Sequence, residues 1–355
     1  MAKGTRAMTD SSQRDYAAAK LWLHKSLKRL AGTSPDRMPS IISEVFSEDA
    51  RCFVAHPINE LEGAPEIERK LWGPLKQAFP DLERTDTMMV AGEFGGKLMI
   101  ACLGSYNGTF ERDWLGIPAS FKATSIRYGE VYHVENHRIV RAWMLIDVLD
   151  VMRQADVWLL TPSLGAEGVW PAPGGVSGLE LDRHDEAGGQ ASLDLVLRMH
   201  KGLLSFDGQD LRTMSHAQYW SPNFCWYGPS GIGATRGLKG FEAHHQIPFL
   251  TAFPDRKGGQ HYVRISEGLH VVTGGWPSVT ATHSGSGFLG MPATGRAVGM
   301  RVMDFYRCEG GLIVENWVPL DILHLLLQMG FDVFERLAHL RGNPRRTLLD
   351  SRGQD

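Results

Sequence analysis

Cysteine is scarce in this chain: four in 355 residues, Cys52, Cys102, Cys225 and Cys308, with no CxxC pair among them. That scarcity excludes a disulfide scaffold and the common zinc and redox motifs, and suits reduced, mostly buried thiols in a cytoplasmic protein. Long apolar runs are missing too. No stretch reaches the roughly 18 residues of a membrane span, and the opening MAKGTRAMTDSSQRD has no apolar core of the kind a secretion signal needs. Positive charge is not in excess either: 37 Lys and Arg against 40 Asp and Glu leave a net charge of −3. The chain therefore offers no electrostatic footprint for nucleic acid or an anionic membrane. The short basic group Arg341, Arg345, Arg346 and Arg352 reads as a solvated end.

What is present is an ordinary soluble composition, 43% hydrophobic and 22% charged, and an internal repeat. The stretch IVENWVPLDILHLLLQMG at 313–330 has a weaker copy, IVRAWMLIDVLDVMRQA, at 139–155. Trp143 and Trp317, Asp147 and Asp321, and Gln154 and Gln328 all stand 174 positions apart. The same offset joins Ala78-Phe79-Pro80-Asp81 to Ala252-Phe253-Pro254-Asp255, and Arg127 to Arg301. Residues 1–14 read as a disordered lead, 15–160 as a first domain, 161–190 as a Gly/Pro-rich linker, 191–341 as a second domain and 342–355 as a tail.

Each unit runs helix, helix, strand, helix, a cluster of antiparallel strands, then a short final helix. The clustering disfavours parallel βαβ winding. It predicts an α+β fold of two tandem cone-shaped barrels, each a curved antiparallel sheet wrapping helices around an apolar cavity.

In both copies a β-rich run ends in an acidic residue and turns into a Leu-rich helix, which places Asp147 and Asp321 at strand-to-helix junctions. Side chains at i and i+4 of a strand share a face, so Trp143 lies beside Asp147 and Trp317 beside Asp321. A carboxylate on an apolar face has a raised pKa, which suits acid/base chemistry; equally, Asp is a preferred helix N-cap. Pro319 lacks a ladder N–H and demands a bulge, an edge or an early strand end. Trp226, Tyr227, Trp276, Trp317 and Trp143 are candidate flat walls for a ligand. His244 and His245 are adjacent on a helix and point about 100° apart. No third ligand lies at a suitable spacing, so no metal site is expected, and His245 is read as cavity rim. GSGFLG at 285–290 lacks the strand and helix of a phosphate loop.

The ordered set GxxGFEAHHQIPFLTAFPD, TATHSGSGFLGMPATGRAV and GGLIVENWVPLDILHLLLQMG resembles the SnoaL-like polyketide (ester) cyclases of the nuclear transport factor 2-like superfamily, whose fold is cystatin-like. The likeness covers nearly all of the second half and, more loosely, the first. It implies the α+β cone, no metal and no organic cofactor, and a catalytic aspartate at Asp321 and Asp147. The family's THxG motif falls on Thr282 to Gly285, making His283 the polar partner. Its HP loop falls on His56-Pro57, with Gly228-Pro229 in the second half. The first half departs from the pattern with Thr109 where the offset places His283, and no Arg precedes THxG in VVTGGWPSVTATH.

Three functions remain open. The first is a cofactor-independent cyclase, isomerase or lyase acting on an apolar carbonyl-bearing small molecule, with the second half active, Asp321 as base and His283 meeting the developing oxyanion. The second is a binding module of the same fold. The third is a hydrolase, which needs an inward carboxylate and Arg; Asp304 and Arg301, three residues apart on a strand, face opposite ways. The first half is expected to give support, with Asp147 capped and its cavity smaller or filled by Met and Trp. The halves are expected to pack sheet to sheet as an intramolecular pseudo-dimer, with homodimerisation of the whole chain left to light scattering.

Overall fold

The computed structural model describes residues 15–175 and 177–342; the lead at 1–14 and the tail from 343 onward lie outside them. Helix α1 (Tyr16–Gly32) starts where the Asp15 side chain accepts a hydrogen bond from the Ala18 N–H at 2.8 Å, a cap that satisfies an orphan donor of the first turn. Its Leu23, Leu27 and Leu30 stripe is wholly buried. Helix α2 (Met38–Val45) runs into β1 (Phe46–Val54), followed by β2 (Glu60–Glu62). Then come α3 (Ala64–Ile67) and α4 (Gly73–Ala78), joined by one wide π-helical turn at Glu68–Trp72. Strands β3 (Glu83–Phe94), β4 (Lys97–Thr109), β5 (Ala123–Glu135) and β6 (Arg138–Ile146) complete the sheet, and α5 (Val148–Gln154) closes the half. The sheet order is β2-β1-β6-β5-β4-β3, with β1 and β6 parallel and the other neighbours antiparallel.

The second half repeats this plan with α6 (Glu186–Leu203), β7 (Trp220–Tyr227), β8 (Ala234–Arg236), α7 (Gly237–Phe241), a π turn at Glu242–Gln246, and α8 (Ile247–Ala252). Next come β9 (Lys257–Gly258), β10 (His261–Glu267), β11 (His270–Thr282), β12 (Ala297–Glu309), β13 (Leu312–Trp317), α9 (Ile322–Met329) and α10 (Val333–Leu340). The sheet order is β10-β11-β12-β13-β7-β8, with β9 on β11. The π turns recur at the 174-residue offset, each just before a proline, Pro74 or Pro248. A residue without an N–H cannot bond back one turn, so the helix widens there.

Three details differ from the sequence reading, and a fourth, at Pro319, agrees with it. Helix α6 begins inside the stretch read as linker, capped by Asp185, and Gly189 permits close packing, since a Cβ there would meet the backbone of Ser266 and Glu267 at 2.9 Å. The second of the two helices expected to open this half is instead two short 3-10 turns, Leu211–Met214 and His216–Gln218, parted by Ser215 in the left-handed region. The single edge strand β3 is matched by two pieces, β9 and β10, with a break between Gly258 and His261. Strand β13 ends at Trp317, so Pro319 falls just past a strand end.

Both faces of each sheet are covered. One apolar layer lies between each sheet and its own helices. A second lies between the two sheets, with Val90, Ala101, Val131 and Trp143 on one side and Val263, Val272, Phe305 and Trp317 on the other. The connecting segment is laid along this seam. Ala166 pairs with Ala234 at 2.8 Å in both directions, the Met89 N–H donates to the Gly178 carbonyl at 2.8 Å, and the Trp317 indole donates to the Pro171 carbonyl at 3.0 Å. Lys20, wholly buried on α1, donates to the Glu180 and Arg183 carbonyls and pairs with Glu267 of the second half. No helix among the described residues is long and apolar enough to cross a membrane.

Candidate functional site

Asp147 and Asp321 both cap the helices that follow them. Asp147 accepts from the Asp150 N–H at 3.0 Å, and Asp321 from the His324 N–H at 3.1 Å. Each is also paired with an arginine of the neighbouring strand: Arg127 to Asp147 at 2.6 Å, and Arg301 to Asp321 at 3.1 Å. Each then reaches into the other half. The His56 N–H donates to Asp321 at 2.9 Å, and the Ser230 N–H, at the equivalent place, donates to Asp147 at 3.0 Å. Burial pushes the Asp321 carboxyl up, opposed by the His56 N–H and the Arg301 guanidinium. Burial likewise raises Asp147, opposed by Arg127. The gap beside Asp147 measures only about 10 Å³, room for about one water. Both aspartates are thus clamps across the seam, with their oxygens already occupied.

The aromatic walls divide between two places. Trp143, Trp317, Tyr227 and Trp276 lie on the seam rather than around a ligand cavity: Tyr227 stacks on Trp317 at 5.1 Å, and Trp276 lies over the Arg301 guanidinium at 4.7 Å. Strand alternation sets which side chains go where. On β12, Met303 and Phe305 point to the seam, and Val302, Tyr306 and Cys308 point into the second cone. Trp226 and His245 do face that cone, stacked at 4.0 Å beside Phe241, whereas His244 is exposed. Burial pushes His245 down to about 3, so it is neutral.

His283 is fully buried near the cone mouth, its ring 3.1 Å from the Thr294 hydroxyl and 5.4 Å from Phe253, away from Asp321's partners. Its counterpart is not Thr109. Thr109 pairs with Ala123, and Thr282 pairs with Ala297, so His283 matches Phe110. The irregularity in β11 between Gly275 and Val279 sets two extra residues against β12, and beyond it β11 runs one residue off the 174 offset, with Val279 matching Tyr106. His56 stands at the seam, its ring edge-on to Phe334 at 5.7 Å.

Trp72, edge-on to Tyr106 at 5.7 Å, and Met89 and Met144 pack in the interior of the first cone, which is not apolar throughout. It also holds a polar network, buried except at the edge of His24. Arg84 donates to Asp86 at 2.7 Å, to Glu130 at 2.6 Å and to the Tyr106 hydroxyl at 2.7 Å. Tyr106 and Tyr132 donate to Glu130 at 2.7 and 2.6 Å, Tyr128 donates to Asp86 at 2.8 Å, and His24 contacts Asp86 at 2.7 Å. Burial works against the Asp86 charge, but Arg84 overrides it and holds the carboxyl below its ordinary range. Every charge here has a partner, the condition for burying one.

The second cone keeps two members of that set and loses the rest. Asp304 stands 174 residues after Glu130, and Tyr306 stands 174 after Tyr132. By strand register, Arg84 becomes Gly258, Tyr106 becomes Val279, and Tyr128, at the repeat offset, becomes Val302. Asp304 accepts hydrogen bonds from Asn316, at 3.5 Å, and Tyr306, and has no cationic partner among the described residues. Burial pushes its carboxyl up to about 6, yet part of its surface stays accessible. The Tyr306 hydroxyl lies 3.0 Å from His200 Nε2, and burial holds His200 down to about 4. The wall is also rebuilt: Ala50, Cys52, Ile67 and Leu75 of the first half become Phe224, Trp226, Phe241 and Phe249. The repeated acid-x-Tyr pair on the long central strand is the signal that could have exposed this site. Among the described residues, no group of His, Cys, Asp and Glu side chains is placed to hold a metal.

A family model described as SnoaL-like polyketide cyclase matches the chain twice, over residues 33–155 and 195–329. A comparison with curated proteins finds no match. Among solved structures the chain is similar to a candidate SnoaL-like polyketide cyclase from Jannaschia sp. CCS1, at 17% identity over 39% of this chain and 94% of that one, TM-score 0.33. It is similar to AclR, a candidate hydroxylase from Streptomyces galilaeus, at 20% over 40% and 98%, TM-score 0.33. It is also similar to IdmH, a candidate polyketide cyclase from Streptomyces antibioticus, at 17% over 38% and 99%, TM-score 0.32.

Proposed function

The chain belongs to the SnoaL-like polyketide cyclase family, and from that premise we propose that it is a cyclase or isomerase that moves protons on a carbonyl-bearing small molecule, with the second cone as its working site. The supporting observation is Asp304: a cone-facing carboxylate, partly accessible, without a cation, and pushed up to about 6. A base performs best when its pKa lies near the working pH, and ketosteroid isomerase uses an Asp in this way.

In this reading the Asp304 carboxylate takes a proton from the carbon next to the carbonyl. The carbon's electron pair moves into an enolate, whose oxygen is met by the Tyr306 O–H. Return of the proton to another carbon isomerises the substrate, whereas attack of the enolate carbon on a second carbonyl closes a ring and leaves an alkoxide that takes the proton back from Asp304. Proton transfer by a carboxylate requires no cofactor. Asp321, with bonds from Arg301, His56 and His324, positions the halves rather than the substrate.

The test is hydrogen–deuterium exchange at the α-carbon of a panel of cyclic ketones in D2O. Wild-type protein should catalyse exchange, and Asp304→Asn should lose it by about 10²–10⁴-fold. Undiminished exchange in that variant refutes the assignment. The occupied oxygens of Asp321 favour one alternative, a binding module. It would hold a ketone in the second cone without exchanging its α-protons.

A further inference from the structure

The first cone shows how this architecture satisfies a carboxylate at the Glu130 position. A guanidinium donates to two carboxylates and lies over two rings, with the Arg84 cation 4.4 Å from the Tyr128 centroid and 5.4 Å from that of Tyr106. Both interactions, the charge-assisted hydrogen bond and the cation over a ring face, are general ways of holding an organic cation. The second cone retains the carboxylate and its tyrosine, Asp304 and Tyr306, but among the described residues no cation pairs with them.

Gly258 stands where Arg84 stands, on the same face of the pairing, opposite Val279 as Arg84 is opposite Tyr106. Gly258 is itself exposed and a Cβ added there would meet nothing within 4 Å, so the place of the missing side chain is open to solvent. The two valines that replace Tyr106 and Tyr128 are smaller than the rings they succeed. Aromatic surface returns on the opposite wall as Trp226, Phe241 and Phe249. The nearby histidines do not supply a charge, because burial keeps His200 and His245 neutral.

We propose that the second cone is a receptor for an organic cation, an ammonium or guanidinium on an apolar or aromatic body, whose charged nitrogen pairs with Asp304 as the Arg84 guanidinium pairs with Glu130. The inference rests on the second cone being the ligand site, and not on Asp304 transferring a proton. A cation beside Asp304 keeps that carboxylate ionised, which is also the form able to accept a proton. The substrate class that joins the two readings is a carbonyl compound bearing a basic nitrogen.

The experiment is calorimetric titration of the full chain with benzylamine and with phenylguanidine, against benzyl alcohol as the neutral match. The expected result is one site per chain, a preference for both cations over the alcohol by at least about 10-fold, and binding that weakens as Asp304 is protonated in acid. Asp304→Asn should remove the preference. Gly258→Arg, which restores the internal guanidinium, should abolish binding while leaving the thermal transition intact. Equal binding of the alcohol and the cations, or benzylamine binding unchanged in Asp304→Asn, overturns the proposal. The wild-type comparison decides the matter even where a variant fails to fold. Cation binding without ketone exchange leaves this inference standing and removes the catalytic one; exchange without a cation preference does the reverse.

Discussion

Replacing Asp304 with Asn should stabilise the protein at neutral pH and have little effect in acid. The carboxyl titrates near 6 when folded and at its ordinary 3.8 when unfolded. Between those values the folded state holds a proton that the unfolded state has released, so stability falls as pH rises. The penalty is absent below the unfolded value, grows through the window, and is complete above the folded value. About two units at about 1.4 kcal/mol each amounts to roughly 3 kcal/mol. Asn retains the size and can still accept from Asn316, but it does not titrate. The assay is urea unfolding of both proteins, without ligand, across a pH series from about 4 to 8. The midpoint difference should open from near zero to the equivalent of about 3 kcal/mol, with the slope on denaturant unchanged. Parallel pH curves for the two proteins, or a variant less stable at neutral pH, would show that Asp304 is not an unpaired, desolvated carboxylate.

Arg84→Met should be severe, costing about 3–5 kcal/mol, because it leaves Asp86 and Glu130 buried without their cation; calorimetric scanning measures it, and a loss under about 1 kcal/mol would contradict the network. Arg84→Lys should recover only part, since a point charge cannot reproduce the fork geometry. Asp321→Ala removes a helix cap worth about 1 kcal/mol and strips Arg301 of its carboxylate. It should lower the unfolding temperature markedly while leaving benzylamine affinity within about twofold, and abolished binding with intact stability would reverse that assignment. His245→Leu imports the residue of the first half and should change stability by less than about 1.5 kcal/mol at any pH from about 5 to 8, since His245 is already neutral there.

The repeat, the element order and the cone fold were legible because a constant offset survives even where individual residues have diverged. Which sheet face carries the chemistry was not. Alternation does not carry from Trp317 to Asp321, because the strand ends at Trp317, and both faces of each sheet are apolar here, one packed on helices and one on the other sheet. Hydrophobic pattern alone cannot tell a cone from a seam. The matching of His283 with Thr109 failed because an irregularity in one strand breaks the offset locally. Asp304 was visible only as an inward-facing alternative. Its significance depends on what Arg84 does for Glu130, and that contact joins residues 46 positions apart.

The reciprocal bonds from His56 to Asp321 and from Ser230 to Asp147 are one contact made twice, the arrangement a twofold homodimer of identical ancestors would have. Once such partners share a polypeptide, a mutation in one no longer appears in the other. The buried Lys20–Glu267 pair, which occurs in one direction only, marks that loss of symmetry: the repeat-related positions are Asp194 and Glu93. Once two such copies are joined, each is free to diverge on its own, as the charged network of one interior and the aromatic wall of the other have done, while both keep the handshake that holds them.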